Sequence, residues 1–77
     1  MFILYKNSMD NSNIVGYFAS HDVIEGSIKL SYSGIKGLSL RHRNNTIEVL
    51  SIVGNKKESI DRFIIEPLFI HTRPDHL

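Results

Sequence analysis

Asn44-Asn45 sits near the middle of SLRHRNNTIEVL, residues 39 to 50, and separates two stretches in which apolar and polar side chains alternate. Period-two alternation sends successive side chains to opposite faces of a strand, and asparagine tolerates the left-handed φ that tight hairpin turns require. With Asn44-Asn45 as the turn, Arg43 faces Thr46, His42 faces Ile47, Arg41 faces Glu48 and Leu40 faces Val49. One side of the hairpin then carries Leu38, Leu40, His42, Ile47 and Val49, and the other carries Ser39, Arg41, Arg43, Thr46 and Glu48. A slip of one residue would mix the two sets, so burial of the apolar side fixes the register.

The same alternation over Ser27 to Tyr32 predicts a third strand, with Ile28, Leu30 and Tyr32 opposite Ser27, Lys29 and Ser31. Residues 33 to 37 read as a loop in which Gly34 and Gly37 are available for positive φ. Tyr32, Leu30 and Ile28 then fall opposite Leu38, Leu40 and His42, giving a meander from 27 to 53. Upstream, Phe2 to Lys6 and Ile14 to Ala19 read as strands joined by a polar loop at 7 to 13, with Gly16 marking a bulge or a close backbone approach. Asp22 suits the N-cap of a turn at Val23 to Glu25, a segment compatible with either a helical turn or an extended connection.

Leu50 and Ile52 fall on the arginine side of the hairpin, where apolar residues require cover. The C-terminal segment is the expected source. Asn55 and Glu58 have capping-box spacing, Ile60, Phe63 and Ile64 recur at helical spacing, and Pro67 ends the pattern, which predicts a helix over 56 to 66. A strand through Phe63 to Ile65 is the competing reading, since Ile and Phe also favour strands. Leu68 to His71 reads as a last short edge strand and 72 to 77 as a flexible tail. The expected fold is α+β and mainly β: a single domain, 1 to 77, with an antiparallel curled sheet or small barrel of five to six short strands and one C-terminal helix.

A chain of 77 residues buries a limited core, and with no cysteine it has no disulfide staple and no thiolate zinc site. Nine Lys+Arg against eight Asp+Glu leave a formal charge of +1, too little for a long-range field toward nucleic acid or membrane, so any basic site is local. The opening MFILYKNSMDN has its lysine after a four-residue apolar run, unlike a signal peptide, and no apolar stretch has the length of a membrane span. These features predict a cytoplasmic protein. Enrichment in Ile, Asn, Lys and Ser fits an AT-rich coding sequence of phage or mobile-element type.

The hairpin register splits the Arg41-His42-Arg43 triplet, with both guanidinium groups in solvent and the imidazole on the apolar side. Arg41 faces Glu48 as a cross-strand ion pair, and Lys29, Arg41, Arg43 and Lys36 outline a basic patch able to hold a phosphate or an acidic protein surface. The aromatic residues lie mostly in apolar runs, which argues against a base-stacking platform. His42 reads as a rim residue and His21-Asp22 as a loop or cap pair without an accompanying nucleophile signature. His71, Asp75 and His76 are ligand types without a complete tetrahedral set. Glu25, Glu48, Glu58, Asp61 and Glu66 show no convergent acid-base spacing, and the Gly34 to Gly37 stretch is too short for a phosphate-binding loop.

No cofactor, metal or catalytic residue is therefore expected. The sequence points to a non-enzymatic binding protein of the inhibitor, immunity-factor or regulatory-subunit type, with Lys29, Arg41, Arg43, Glu48, Leu50 and Ile52 as its binding residues and self-association as a variant. A nucleic-acid-binding regulator using the same basic face is the first alternative. A small ribonuclease-like toxin, with His42 or His71 as base beside Arg41 or Arg43, is the second. The docking reading leans on Ile28, Leu30, Leu38, Leu40, Ile47 and Val49 projecting inward together.

Overall fold

The computed structural model describes residues 1–68. Strands β1 (Phe2–Lys6), β2 (Ile14–Phe18), β3 (Leu38–Arg43), β4 (Thr46–Val53) and β5 (Lys56–Pro67) form one antiparallel sheet, and helix α1 (His21–Ser31) connects β2 to β3. The spatial order is β2-β1-β5-β4-β3, so among the described residues the last strand in sequence is the central one and β2 and β3 are edges. The sheet is open and the small-barrel alternative is not formed.

The β3–β4 hairpin has the register that the alternation predicts, from Arg43 opposite Thr46 to Leu40 opposite Val49 and Leu38 opposite Ser51. Asn44 adopts φ 47°, the left-handed conformation its turn needs. The third strand of this meander is β5, not residues 27–32. That segment lies in and just after α1, which overturns the expected strand and, with it, part of the support for the inward-facing set: Leu30 is 78% exposed. Two local features favour the helix. The Ser20 hydroxyl accepts from the Val23 amide at 3.3 Å, and Ile24 and Ile28, one turn apart, are buried at 0% and 3% exposure. Ser20, not Asp22, is the N-cap; Asp22 sits in the first turn, where a carboxylate suits the helix dipole.

The expected helix over 56 to 66 is also absent, because this segment is β5. Gly54-Asn55 forms a two-residue turn that pairs Val53 with Lys56, and Gly54 takes φ 61°. A bulge follows: Val49 pairs with Asp61 and Leu50 with Ser59, leaving Ile60 as the extra residue. Ile60 is partly buried against the core. After Pro67, Leu68 is not in a strand and its amide donates to the Met1 carbonyl at 2.9 Å. The rest of the expected final strand and the 72 to 77 tail lie outside the described residues.

The core lies between α1 and one face of the sheet. Leu4, Ile24, Ile28, Ile47, Val49, Phe63 and Ile65 form it, and Phe2, Phe18, Tyr32, Leu38 and Leu40 pack around it. Gly16 stands beside a bulge, with Leu4 opposite Gly16 and Tyr5 opposite Ile14, as its position inside a strand suggests. Gly37 takes φ 69° at the entry to β3.

Candidate functional site

The helix packs on one face of the sheet; the other buries Ile3, Tyr5 and Leu50 within the chain and displays the polar side chains that the strand pleat sends there. Glu48 lies between Arg41 on β3 and Arg62 on β5, its registered partners on either side. Arg43 and Thr46 form the next pair toward the turn. Arg41, Arg43, Asn44, Asn45, Thr46, Glu48 and Arg62 together line one shallow depression. Arg41 Nη1 stands 3.7 Å from Glu48 Oε1, and Glu48 Oε2 accepts from the Ser59 hydroxyl at 2.9 Å. Arg62 Nη2 donates to the Asn7 carbonyl at 3.3 Å, and the Asn7 amide returns a bond to the Arg62 carbonyl at 2.7 Å.

Three guanidinium groups thus share the depression with a single carboxylate. Among the described residues neither Arg43 nor Arg62 takes part in an ion pair. The surplus is positive, planar and able to form bidentate hydrogen bonds, the chemistry that recognises carboxylate or phosphate. Farther along the same face, Tyr17 pairs with Ile3 and is 56% exposed. Tyr5 is buried, and its hydroxyl donates to Glu66 Oε1 at 2.9 Å; the carboxylate partner and the loss of solvent raise the Tyr5 pKa.

Of the six expected binding residues, Arg41, Arg43 and Glu48 are brought together. Lys29 is not: it lies on α1, 3.7 Å from Glu25 and on the opposite side of the sheet. Leu50 is 3% exposed, so its burial is complete within the chain and it offers no surface to a partner. Ile52 is 42% exposed but lies toward the Gly54-Asn55 end of β4, outside the arginine depression. Lys36 is also outside it, in the loop before β3, where its carbonyl accepts from Ser51 Oγ at 2.6 Å. Arg62 is the residue that sequence reasoning missed. Reading Gly54-Asn55 as a turn would have made 56 to 66 a strand, but only the bulge at Ile60 brings Arg62, rather than Asp61, beside Glu48.

His42 is on the helix side of β3, with Nε2 3.2 Å from Glu25 Oε2. It does not converge with Arg41 or Arg43, so the pairing required by a ribonuclease reading through His42 is not formed; His71 lies outside the described residues. His21 packs its ring on Phe2 with centroids 4.6 Å apart. Asp61, beneath α1, accepts from the Tyr32 hydroxyl and lies 3.7 Å from Lys6 Nζ. Burial, reinforced by that carboxylate, pushes the Tyr32 pKa up to about 12.

Among the described residues no group of three or more His, Cys, Asp or Glu side chains is placed to hold a metal ion. His71, Asp75 and His76 lie outside them. No helix of the described residues is long and apolar enough to cross a membrane. Comparison with protein-family models, with curated proteins and with solved structures gives no significant match to this chain.

Proposed function

We propose that this chain is a small non-enzymatic binding protein of the inhibitor, immunity-factor or regulatory-subunit type, acting in the cytoplasm by docking its helix-free sheet face onto an acidic protein surface. The convergence of Arg41, Arg43 and Arg62 around one carboxylate carries this reading. The support that a strand at 27 to 32 would lend is withdrawn with that strand, and the reading rests on the β3–β4 pleat, which sends both β3 guanidinium groups to that face. Arginine is the residue type best suited to interfaces: its charge is weakly hydrated and its donors pair with carboxylates in a fixed plane. Glu48 favours a protein over a phosphate backbone, since a carboxylate amid the arginines repels a continuous anion but can be matched by a donor on a mixed protein surface. The phage or mobile-element origin proposed from composition is compatible with such a role.

The test is affinity capture from a nuclease-treated extract of the native cell, comparing the wild-type chain with the Arg43→Glu/Arg62→Glu variant. A protein retained by the first and lost with the second is the expected result. Capture that does not differ between them overturns the proposal. Binding of nucleic acid titrated into the purified chain, falling steeply with salt, would replace it with the regulator reading.

A further inference from the structure

The outer edge of β3 has a specific chemistry. The Gly37 carbonyl accepts from the Ile52 amide at 2.8 Å, and pairing continues residue for residue to Arg43 and Thr46. Antiparallel ladders alternate hydrogen-bonded and non-bonded pairs, so Ser39, Arg41 and Arg43 direct their amide and carbonyl groups toward β4. The corresponding groups of Leu38, Leu40 and His42 therefore point away from the sheet, where no strand neighbours β3 among the described residues. Beside this edge runs a groove of about 480 Å³ between α1 and β3, lined by Glu25, Lys29, Ser33, Leu38, Ser39 and Leu40.

The two sheet edges are not equivalent. β2 is five residues long and lies against a register shift that interrupts its pairing with β1, a common way of blunting an edge. β3 has six residues in unbroken register and contains no proline. Among the described residues, what protects it is charge.

That charge also selects the occupant. A second copy adding antiparallel to β3 must pair outward-facing residues with outward-facing residues, so a two-fold axis that keeps at least two such pairs falls on Ser39, Leu40 or Arg41. Centred on Ser39, the ladder keeps only the two Leu38–Leu40 pairs, and His42 is left opposite Lys36, which precedes the strand. Centred on Arg41, the guanidinium groups of the two copies meet directly. Centred on Leu40, each Arg41 faces Ser39 of the other copy and the two Arg41 side chains become diagonal neighbours, so four arginines gather on one face with no acidic residue of β3 to offset them. An antiparallel segment with apolar residues opposite Leu38, Leu40 and His42 and acidic residues opposite Arg41 and Arg43 satisfies every position. Its apolar side chains enter the groove and its carboxylates reach the arginine face.

We infer that the β3 edge is a strand-addition site for an extended segment of a partner protein in which acidic and apolar residues alternate. The inference rests on the protein-docking reading above and specifies how the partner is engaged: main-chain hydrogen bonds supply affinity, and alternate side chains supply specificity.

The probe is the capped hexapeptide Glu-Val-Glu-Val-Thr-Val, titrated into the full chain and followed by amide exchange. Protection is expected at the Leu38, Leu40 and His42 amides, and binding is expected to be lost when the three valine nitrogens, which face β3 in this register, are methylated. Absence of binding at millimolar peptide overturns the inference, as does equal binding of the methylated peptide. Protection of the same amides without peptide, accompanied by a doubled sedimentation mass, also overturns it and assigns the edge to a second copy. The methylation contrast reads the edge while the Arg43→Glu/Arg62→Glu capture reads the arginine face, so either can fail alone.

Discussion

Gly37 and Ile52 approach so closely that a β-carbon on Gly37 would lie 2.1 Å from the Ile52 carbonyl oxygen, while the Gly37 carbonyl itself accepts the Ile52 amide at 2.8 Å. The chain returning from α1 is thereby clamped onto β4 one residue before β3 begins. Gly37→Ala meets both a positive φ and a backbone clash, and a loss of about 3 kcal/mol or more is expected. Gly54→Ala has a similar φ but open space around it, so about 1 kcal/mol is expected. Urea unfolding midpoints measured at unchanged m-value check the difference.

The helical assignment of residues 21–31 makes opposite demands on two neighbouring aliphatic residues. Ile24→Ala removes a fully buried side chain and is expected to cost about 2–5 kcal/mol. Leu30→Ala, at a position 78% exposed, is expected to change stability by no more than about 0.5 kcal/mol. A large loss at Leu30 in the same unfolding assay would restore the strand reading of 27 to 32.

Capping gives a second local contrast. Ser20→Ala removes the acceptor of the Val23 amide and is expected to cost about 1 kcal/mol. Asp22→Ala loses only a favourable charge in the first turn, worth about 0.3–1 kcal/mol and diminished by salt. Thermal unfolding of both variants at low and high ionic strength separates the two effects.

Tyr32 predicts an alkaline loss of stability. Its hydroxyl is protonated up to about pH 12 in the folded chain, whereas the ordinary value is 10.0. Between these values the unfolded chain has released a proton that the folded chain retains, so stability falls as pH rises. The contribution is fully present below about pH 10 and diminishes toward 12. Denaturant midpoints across this interval are expected to fall more steeply in the wild type than in Tyr32→Phe.

The β3–β4 hairpin was legible because two cues agreed: Asn44-Asn45 supplied a turn, and the apolar residues kept one phase on both sides of it. The helix was obscured because Ile28, Leu30 and Tyr32 also fit an alternating strand. The decisive helical pair was Ile24 and Ile28, reached only by extending the window back to the Ser20 cap. The β5 error has a different cause. The bulge places Ile60 out of phase, so Ile60 and Phe63 both approach the core although three positions apart, a spacing that imitates a helix. The same displaced residue concealed Arg62. Two of the three arginines of the basic site were therefore open to hairpin logic, and the third depended on an irregularity without a clear local signature.

The central place of β5 has a consequence for synthesis on the ribosome. A nascent chain that has released β1 through β4 has two hairpins and a helix but no strand joining them, because β1 and β4 are both neighbours of β5 and not of each other. The five-stranded sheet can be completed only when β5 emerges and inserts between them. Until then, the flanks of β1 and β4 that β5 will occupy remain open to unintended pairing, and a translational pause just before β5 would lengthen that exposure.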